Sequence, residues 1–248
     1  MDITKIAVAS IAISLVIAFS FGLGGLIQDI TKSDSNYGIF IMIIFGAFVN
    51  IRIAIKKAKA GYSDVSINLT AGIYTAGIDF PAGKYILTAK ENYGDVFTSD
   101  NVKNGINQTL GVGDKNIASE FNNLILEIGD TLTIDGELVL KLYSQRVNLV
   151  VVPREVMGQE LNLIAGNYIC GKDFIAGTYD IELIKNYGYI TIREKKNVSN
   201  IKFRKYLGEN IGELKDFKNC SIEIEEKLEI SGGLEVKLTP SKSTYLYN

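Results

Sequence analysis

Residues 71–85 read AGIYTAGIDFPAGKY, and residues 165–179 read AGNYICGKDFIAGTY. At this offset of 94, residues 67–98 match residues 161–192 at 14 of 32 positions. A second block aligns at an offset of 96, with residues 123–142 facing 219–238. There Ile128, Leu132, Ile134, Leu138, Leu140 and Leu142 meet Ile224, Leu228, Ile230, Leu234, Val236 and Leu238. Apolar positions persist while polar ones drift. Such a repeat is domain-sized, too long for one solenoid turn. Whatever the chain folds into must therefore work twice.

The dominant period is two. Val65, Ile67 and Leu69 alternate with polar residues, as do Ile222, Ile224, Leu228 and Ile230 on either side of Glu226. Alternation of this kind marks strands with one buried face. Gly, Asn and Asp separate short segments at close spacing, so each repeat is expected to be an antiparallel β-sandwich or jelly-roll-like unit of seven or eight strands. The expected boundaries are 61–146 for the first repeat and 158–248 for the second. Residues 147–157 form a linker or shared strand, with the apolar stretch VNLVVVP buried. Short helical turns fit only near 115–122 and 207–218.

In DFPAGKY, Pro81 suits the second position of a turn and Gly83 the fourth, or a left-handed bulge. The second copy has Ile175 for Pro81 but keeps Gly177. Asp79 and Asp173 are placed to accept turn amides. Tyr74, Tyr85, Tyr168 and Tyr179 fit strand faces with the hydroxyl at the rim. Asp79, Gly83, Asp173 and Gly177 are accordingly read as structural turn residues that both repeats need.

The amino-terminal region has another character. Residues 6–27 carry no charge, long enough to cross about 30 Å of hydrocarbon as a helix. A polar turn leads to a second apolar run, 37–55, interrupted only by Arg52, which can snorkel. Residues 1–60 are expected to form a transmembrane helical hairpin, with the lipid bilayer as a partner. Lys5 before the first span and Arg52, Lys56, Lys57 and Lys59 in and after the second place both ends in the cytoplasm. The alternatives are a secretory signal or a single span, either of which puts the remainder outside.

Histidine is absent, which excludes a Ser–His or Cys–His nucleophile within the chain. Two cysteines without a CxxC spacing do not build a usual zinc site. Cys170 and Cys220 align with Ala76 and Leu124, so both are expected in a core, reduced, with a disulfide as the alternative. One aspartate per turn is a poor metal site. No catalytic residue, cofactor or metal is expected. The net charge of −2 gives no global attraction to nucleic acid. One basic stretch stands out: Arg193, Lys195, Lys196, Lys202, Arg204 and Lys205, with Phe203 and Tyr206 interleaved. It is either a contact for an anionic surface or a solvated loop balanced by Glu209, Glu213 and Asp216.

The segments YTAGIDFPAGKY and YICGKDFIAGTY resemble the Y-x-x-G-x-D-x-x-A-G-x-Y signature of small β modules in membrane-anchored or exported proteins of Gram-positive bacteria. The resemblance covers most of 64–142 and 158–238. It implies the module fold and carries no catalytic residues. It also implies an extracellular setting, opposite to the charge asymmetry. The expected function is a non-enzymatic membrane-anchored protein that presents paired β modules to a protein partner or a further copy of itself. An extracytoplasmic module that binds wall polymer or carbohydrate is the alternative.

Overall fold

Alternating burial organises the chain into strands from Tyr62 onward. The structure is a computed structural model, and it describes residues 62–100, 102–197 and 199–246. The expected spans 6–27 and 37–55 lie outside the described residues. Among the described residues no helix is long and apolar enough to cross a membrane.

The first repeat contains β1 (Tyr62–Leu69), β2 (Gly72–Thr75), β3 (Gly83–Glu91), β4 (Tyr93–Thr98), β5 (Asn107–Gly111), β6 (Glu120–Leu126), β7 (Thr131–Ile134) and β8 (Val139–Asn148). The second contains β9 (Leu161–Leu163), β10 (Gly166–Ile169), β11 (Gly177–Lys185), β12 (Gly188–Arg193), β13 (Ile201–Leu207), β14 (Asp216–Ile222), β15 (Lys227–Ile230) and β16 (Glu235–Pro240). The fold is all-β, and the strands correspond one to one between repeats. In lobe 1 the order β1-β8-β3-β6 lies beside β5-β4-β7-β2; in lobe 2 β9-β16-β11-β14 lies beside β13-β12-β15-β10. The bulges match as well. Register skips between Tyr85 and Leu87 opposite β6, and between Tyr179 and Ile181 opposite β14.

Each lobe has its own core. Tyr85, Leu87, Leu124, Leu126, Leu132, Leu140 and Leu142 lie at the centre of the first. Tyr179, Ile181, Ile190, Phe217, Leu228, Val236 and Leu238 take those places in the second. Ile128 and Ile224, aligned with the core positions in the sequence, are instead exposed. The reading frame of the alternation breaks there because β6–β7 and β14–β15 are joined by turns. Asp130 caps the first turn by accepting the Glu127 N–H (2.7 Å), and Glu226 caps the second by accepting the Glu223 N–H (2.8 Å). No helix forms at 115–122 or 207–218; those segments are turns leading into β6 and β14. The one helical turn among the described residues is Thr244–Leu246.

Residues 64–248 make one compact unit. The lobes meet where β14 pairs in parallel with β2, at Lys218 and Gly72. The Lys218 N–H donates to the Ala71 carbonyl (2.9 Å). A Cβ at Gly72 would lie 2.8 Å from both the Lys218 carbonyl oxygen and its Cβ, so glycine permits the approach. Ala71 and Ile73 of lobe 1 pack into the core of lobe 2. The bridge thus runs one strand order, β5-β4-β7-β2-β14-β11-β16-β9, through both lobes. The connecting stretch departs from expectation. Val147, the last but one residue of β8, is buried, but Leu149, Val150 and Val152 are exposed. Backbone bonding holds this segment rather than side-chain burial: the Val152 N–H donates to the Gly77 carbonyl (2.8 Å).

Candidate functional site

The repeated motif builds the same turn twice. The N–H groups of Ile78 and Asp79 donate to the Thr75 carbonyl, and the Gly77 N–H donates to the Phe80 carbonyl (2.6 Å). Lys172, Asp173 and Gly171 repeat this on Ile169 and Phe174. Asp79 Oδ2 accepts the Thr75 N–H (2.8 Å), and Asp173 Oδ2 accepts the Ile169 N–H (2.7 Å). The left-handed glycines are Gly77 (φ 83°) and Gly171 (φ 87°). Gly83 and Gly177 were expected to be the turn glycines, but they open β3 and β11 without a positive φ. They are small for a steric reason. A Cβ at Gly83 would lie 2.4 Å from Val147 Cγ1, and one at Gly177 3.0 Å from the Met157 carbonyl oxygen. Tyr85 and Tyr179 are fully buried rather than tipped at a rim. Their hydroxyls donate to the carbonyls of Pro81 (2.5 Å) and Ile175 (2.6 Å). A backbone carbonyl is what the tyrosine needs, which explains why proline is dispensable.

The two turns then diverge. Asp173 is exposed, whereas Asp79 is 0% exposed. Arg154, from the segment between the lobes, reaches Asp79 Oδ2 through Nη2 (2.6 Å) and Thr178 of β11 through Nη1 (3.2 Å). Its own N–H donates to Ser243 Oγ (2.7 Å), and the Tyr245 N–H donates to the Asp79 carbonyl (2.9 Å). Four segments therefore meet around the Asp79–Arg154 pair. Burial raises the Asp79 pKa, while the Thr75 N–H and the Arg154 guanidinium pull against that rise. Asp79 Oδ1 and Arg154 Nε are buried with no hydrogen-bond partner. Sequence reading found the aspartate but not the arginine, because Arg154 has no repeat partner and lies outside the motif.

The cleft between the lobes is polar. Asp180 Oδ1 accepts the Asn219 N–H (3.0 Å) and the Ser241 hydroxyl (2.6 Å). The Lys218 amine sits 3.6 Å from Asp180 and 3.3 Å from Asp216. Burial opposes its charge, but the two carboxylates outweigh that and raise its pKa.

The basic stretch does not form one cationic surface. Lys202 pairs with buried Glu226 (2.8 Å) and approaches Glu223 (3.6 Å). Lys205 pairs with Asp135 of lobe 1, which makes it a second tie between lobes. Arg193 pairs with Glu229 (2.8 Å). Lys195 and Lys196 are exposed in the β12–β13 loop. The balancing acids are thus Glu226, Glu229 and Asp135, not Glu209, Glu213 and Asp216. The strand pairing brings them close, and linear distance hides it.

What the stretch does build is an aromatic face. Tyr189 faces Tyr206 across β12–β13 with ring centroids 5.1 Å apart, and Tyr187 lies 6.5 Å from Tyr206. The Arg204 guanidinium stacks over Tyr189 at 4.1 Å. Tyr187, Tyr189 and Arg204 are exposed. In lobe 1 the same cross-strand pair is Asp95 and Thr109, joined by a 2.6 Å hydrogen bond. The aromatic face is therefore special to lobe 2.

Cys170 and Cys220 are buried, free thiols in the core of lobe 2. Burial pushes the Cys220 thiol up to about 12 and raises Cys170 as well, which suppresses thiolate chemistry. Among the described residues no group of His, Cys, Asp and Glu side chains is arranged to hold a metal. Compared with known proteins, the chain matches no family model, and no curated sequence matches it.

Proposed function

We infer that the protein is a membrane-anchored, non-enzymatic binding protein whose two lobes act as one rigid body. Each lobe is read as a jelly-roll module, since an eight-stranded pair of sheets in this order is what two interleaved Greek keys produce. This agrees with the Y-x-x-G-x-D-x-x-A-G-x-Y resemblance. The amino-terminal 60 residues anchor the body, and the charge flanking them favours the cytoplasmic side.

The observation that carries the reading is the Tyr187–Tyr189–Tyr206–Arg204 face, in which Tyr206 is half-buried and the other three are exposed. Tyrosine and arginine are the side chains that most often dominate protein contacts, because they offer large rigid area with a polar tip. Four of them gathered on a strand pair cost little ordering entropy on binding. A protein partner is therefore favoured. The same ring faces can stack on sugar rings, which keeps carbohydrate as the second reading and requires the lobes to be outside.

A photo-reactive phenylalanine in place of Tyr187 tests this in cells that express the full chain. A discrete protein adduct is expected, reduced at least tenfold by Arg204→Ala. An adduct indifferent to Arg204→Ala, or no adduct, contradicts the reading. In parallel, Lys196→Cys reports sidedness to an impermeant maleimide, since the native thiols are buried. Labelling in inverted vesicles but not intact cells is expected; the reverse favours the carbohydrate reading.

A further inference from the structure

We propose that the contact joining the two lobes inside the chain is repeated between chains, so that copies associate head to tail. Within the chain, lobe 1 supplies an insert and lobe 2 a socket. The insert is residues 70–75, with β2 last among the strands of its own lobe's sheet. The socket is the edge strand β14 and the cleft beside it, about 500 Å³, lined by Asp180, Lys218, Asn219 and Thr239 on the lobe 2 side and by Thr70 and Tyr74 on the other.

Repeat equivalence carries the socket back to lobe 1. The counterparts of Asp180, Lys218, Asn219 and Thr239 are Ile86, Asn122, Asn123 and Tyr143. These four line a cleft of about 460 Å³, and every residue around it belongs to lobe 1. The backbone shape of the socket is kept. Asn123 (φ 64°) and Asn219 (φ 57°) share the left-handed bend, and the same bulge leaves Asn122 and Lys218 out of the register with β3 and β11. Within the described residues β6 is the last strand of its sheet, as β14 is of its own lobe's sheet.

Equivalence carries the insert forward to lobe 2 in the same way. Ala71, Gly77, Asp79 and Pro81 are buried, while Ala165, Gly171, Asp173 and Ile175 are exposed. Lobe 2 also presents Ile164, Ile169 and Ile175 where lobe 1 has Thr70, Thr75 and Pro81, and all three isoleucines are exposed. Beside them β10 is the last strand of its sheet among the described residues. An unpaired edge flanked by exposed isoleucines is a surface that pairs. The occupant is a second copy, because the equivalent socket is present on lobe 1 of the same chain and the contact between the equivalent elements inside the chain already joins such an insert to such a socket. Pairing in the intrachain register sets the Asn122 N–H against the Ala165 carbonyl and Gly166 against Asn122. Insert and socket sit on different lobes, so the contact is heterologous and generates a ring or a filament. It shares no residue with the tyrosine face and stands or falls separately.

The test uses full-length protein in detergent. Ala165→Arg blocks the insert and Asn122→Arg blocks the socket, and both positions are exposed in a single copy, so circular dichroism is expected to stay unchanged. Sedimentation is expected to show concentration-dependent association of the wild type, reduced at least tenfold in either variant alone. An equimolar mixture of the two variants keeps one working insert and one working socket and is expected to form dimers and nothing larger. No association of the wild type overturns the proposal. So does association indifferent to either variant, or a mixture that forms no dimer.

Discussion

Asp79 and Asp173 occupy the same place in the same turn, yet only one is a buried charge. The difference lies in what covers them. Asp79 lies under Arg154 and the Tyr245 backbone; Asp173 faces solvent. Breaking a buried pair by deleting one member leaves the other uncompensated, at a cost of about 3–5 kcal/mol. Arg154→Met is therefore expected to destabilise the protein by about that amount near pH 7. The pH dependence has a definite sign. Burial already raises the Asp79 pKa in the fold, and loss of the guanidinium raises it further. A raised carboxyl pKa means the folded state binds the extra proton, so stability falls as pH rises through that pKa and is regained below it. The deficit of Arg154→Met relative to wild type should shrink as pH falls from 8 toward 4 in urea unfolding. A deficit constant across that range would show that Asp79 is not the group involved. Asp79→Asn in the same background keeps the acceptor for Thr75 and should restore part of the loss at pH 7.

Among elements, the repeated turn between β2 and β3 is the best readable from sequence, and also the one most easily misassigned. Its recurrence was plain, as were its aspartate cap and its flanking strands. The positive φ was not, because Gly77 and Gly83 are both retained and the sequence alone does not say which bends the chain and which makes room. Coordinates separate the two roles: Gly77 and Gly171 bend, Gly83 and Gly177 make room. Gly171→Ala should cost about 1–2 kcal/mol from left-handed strain alone. The new Cβ lies 3.3 Å from Ile224 Cγ2, which is exposed and free to shift. Chemical denaturation measures this, and an unchanged midpoint would contradict the assignment. The same limit explains the misplaced Ile128 and Ile224. Alternation continues through a four-residue turn in the linear pattern, and only the capping carboxylates of Asp130 and Glu226 mark the break. The pairings of Arg154 and Lys205 and the tyrosine face were illegible for another reason: each depends on pairing across long sequence separation, which local pattern does not encode.

For the molecule as a whole, duplication produced more than two copies of one fold. A single parallel bridge, Ala71 and Ile73 in the second core, and the Asp79–Arg154 and Asp135–Lys205 pairs join the lobes. This join is the template from which association between copies is inferred. The most direct test is amide hydrogen exchange at Lys218 in the full-length protein. Its N–H donates to Ala71 across the lobe boundary, and Lys218 has no register partner on β11. If the lobes form one body, this amide exchanges as slowly as core amides of β11 and becomes fast in Ala71→Arg. Exchange at the rate of an exposed loop in the wild-type protein would mean that the lobes move independently.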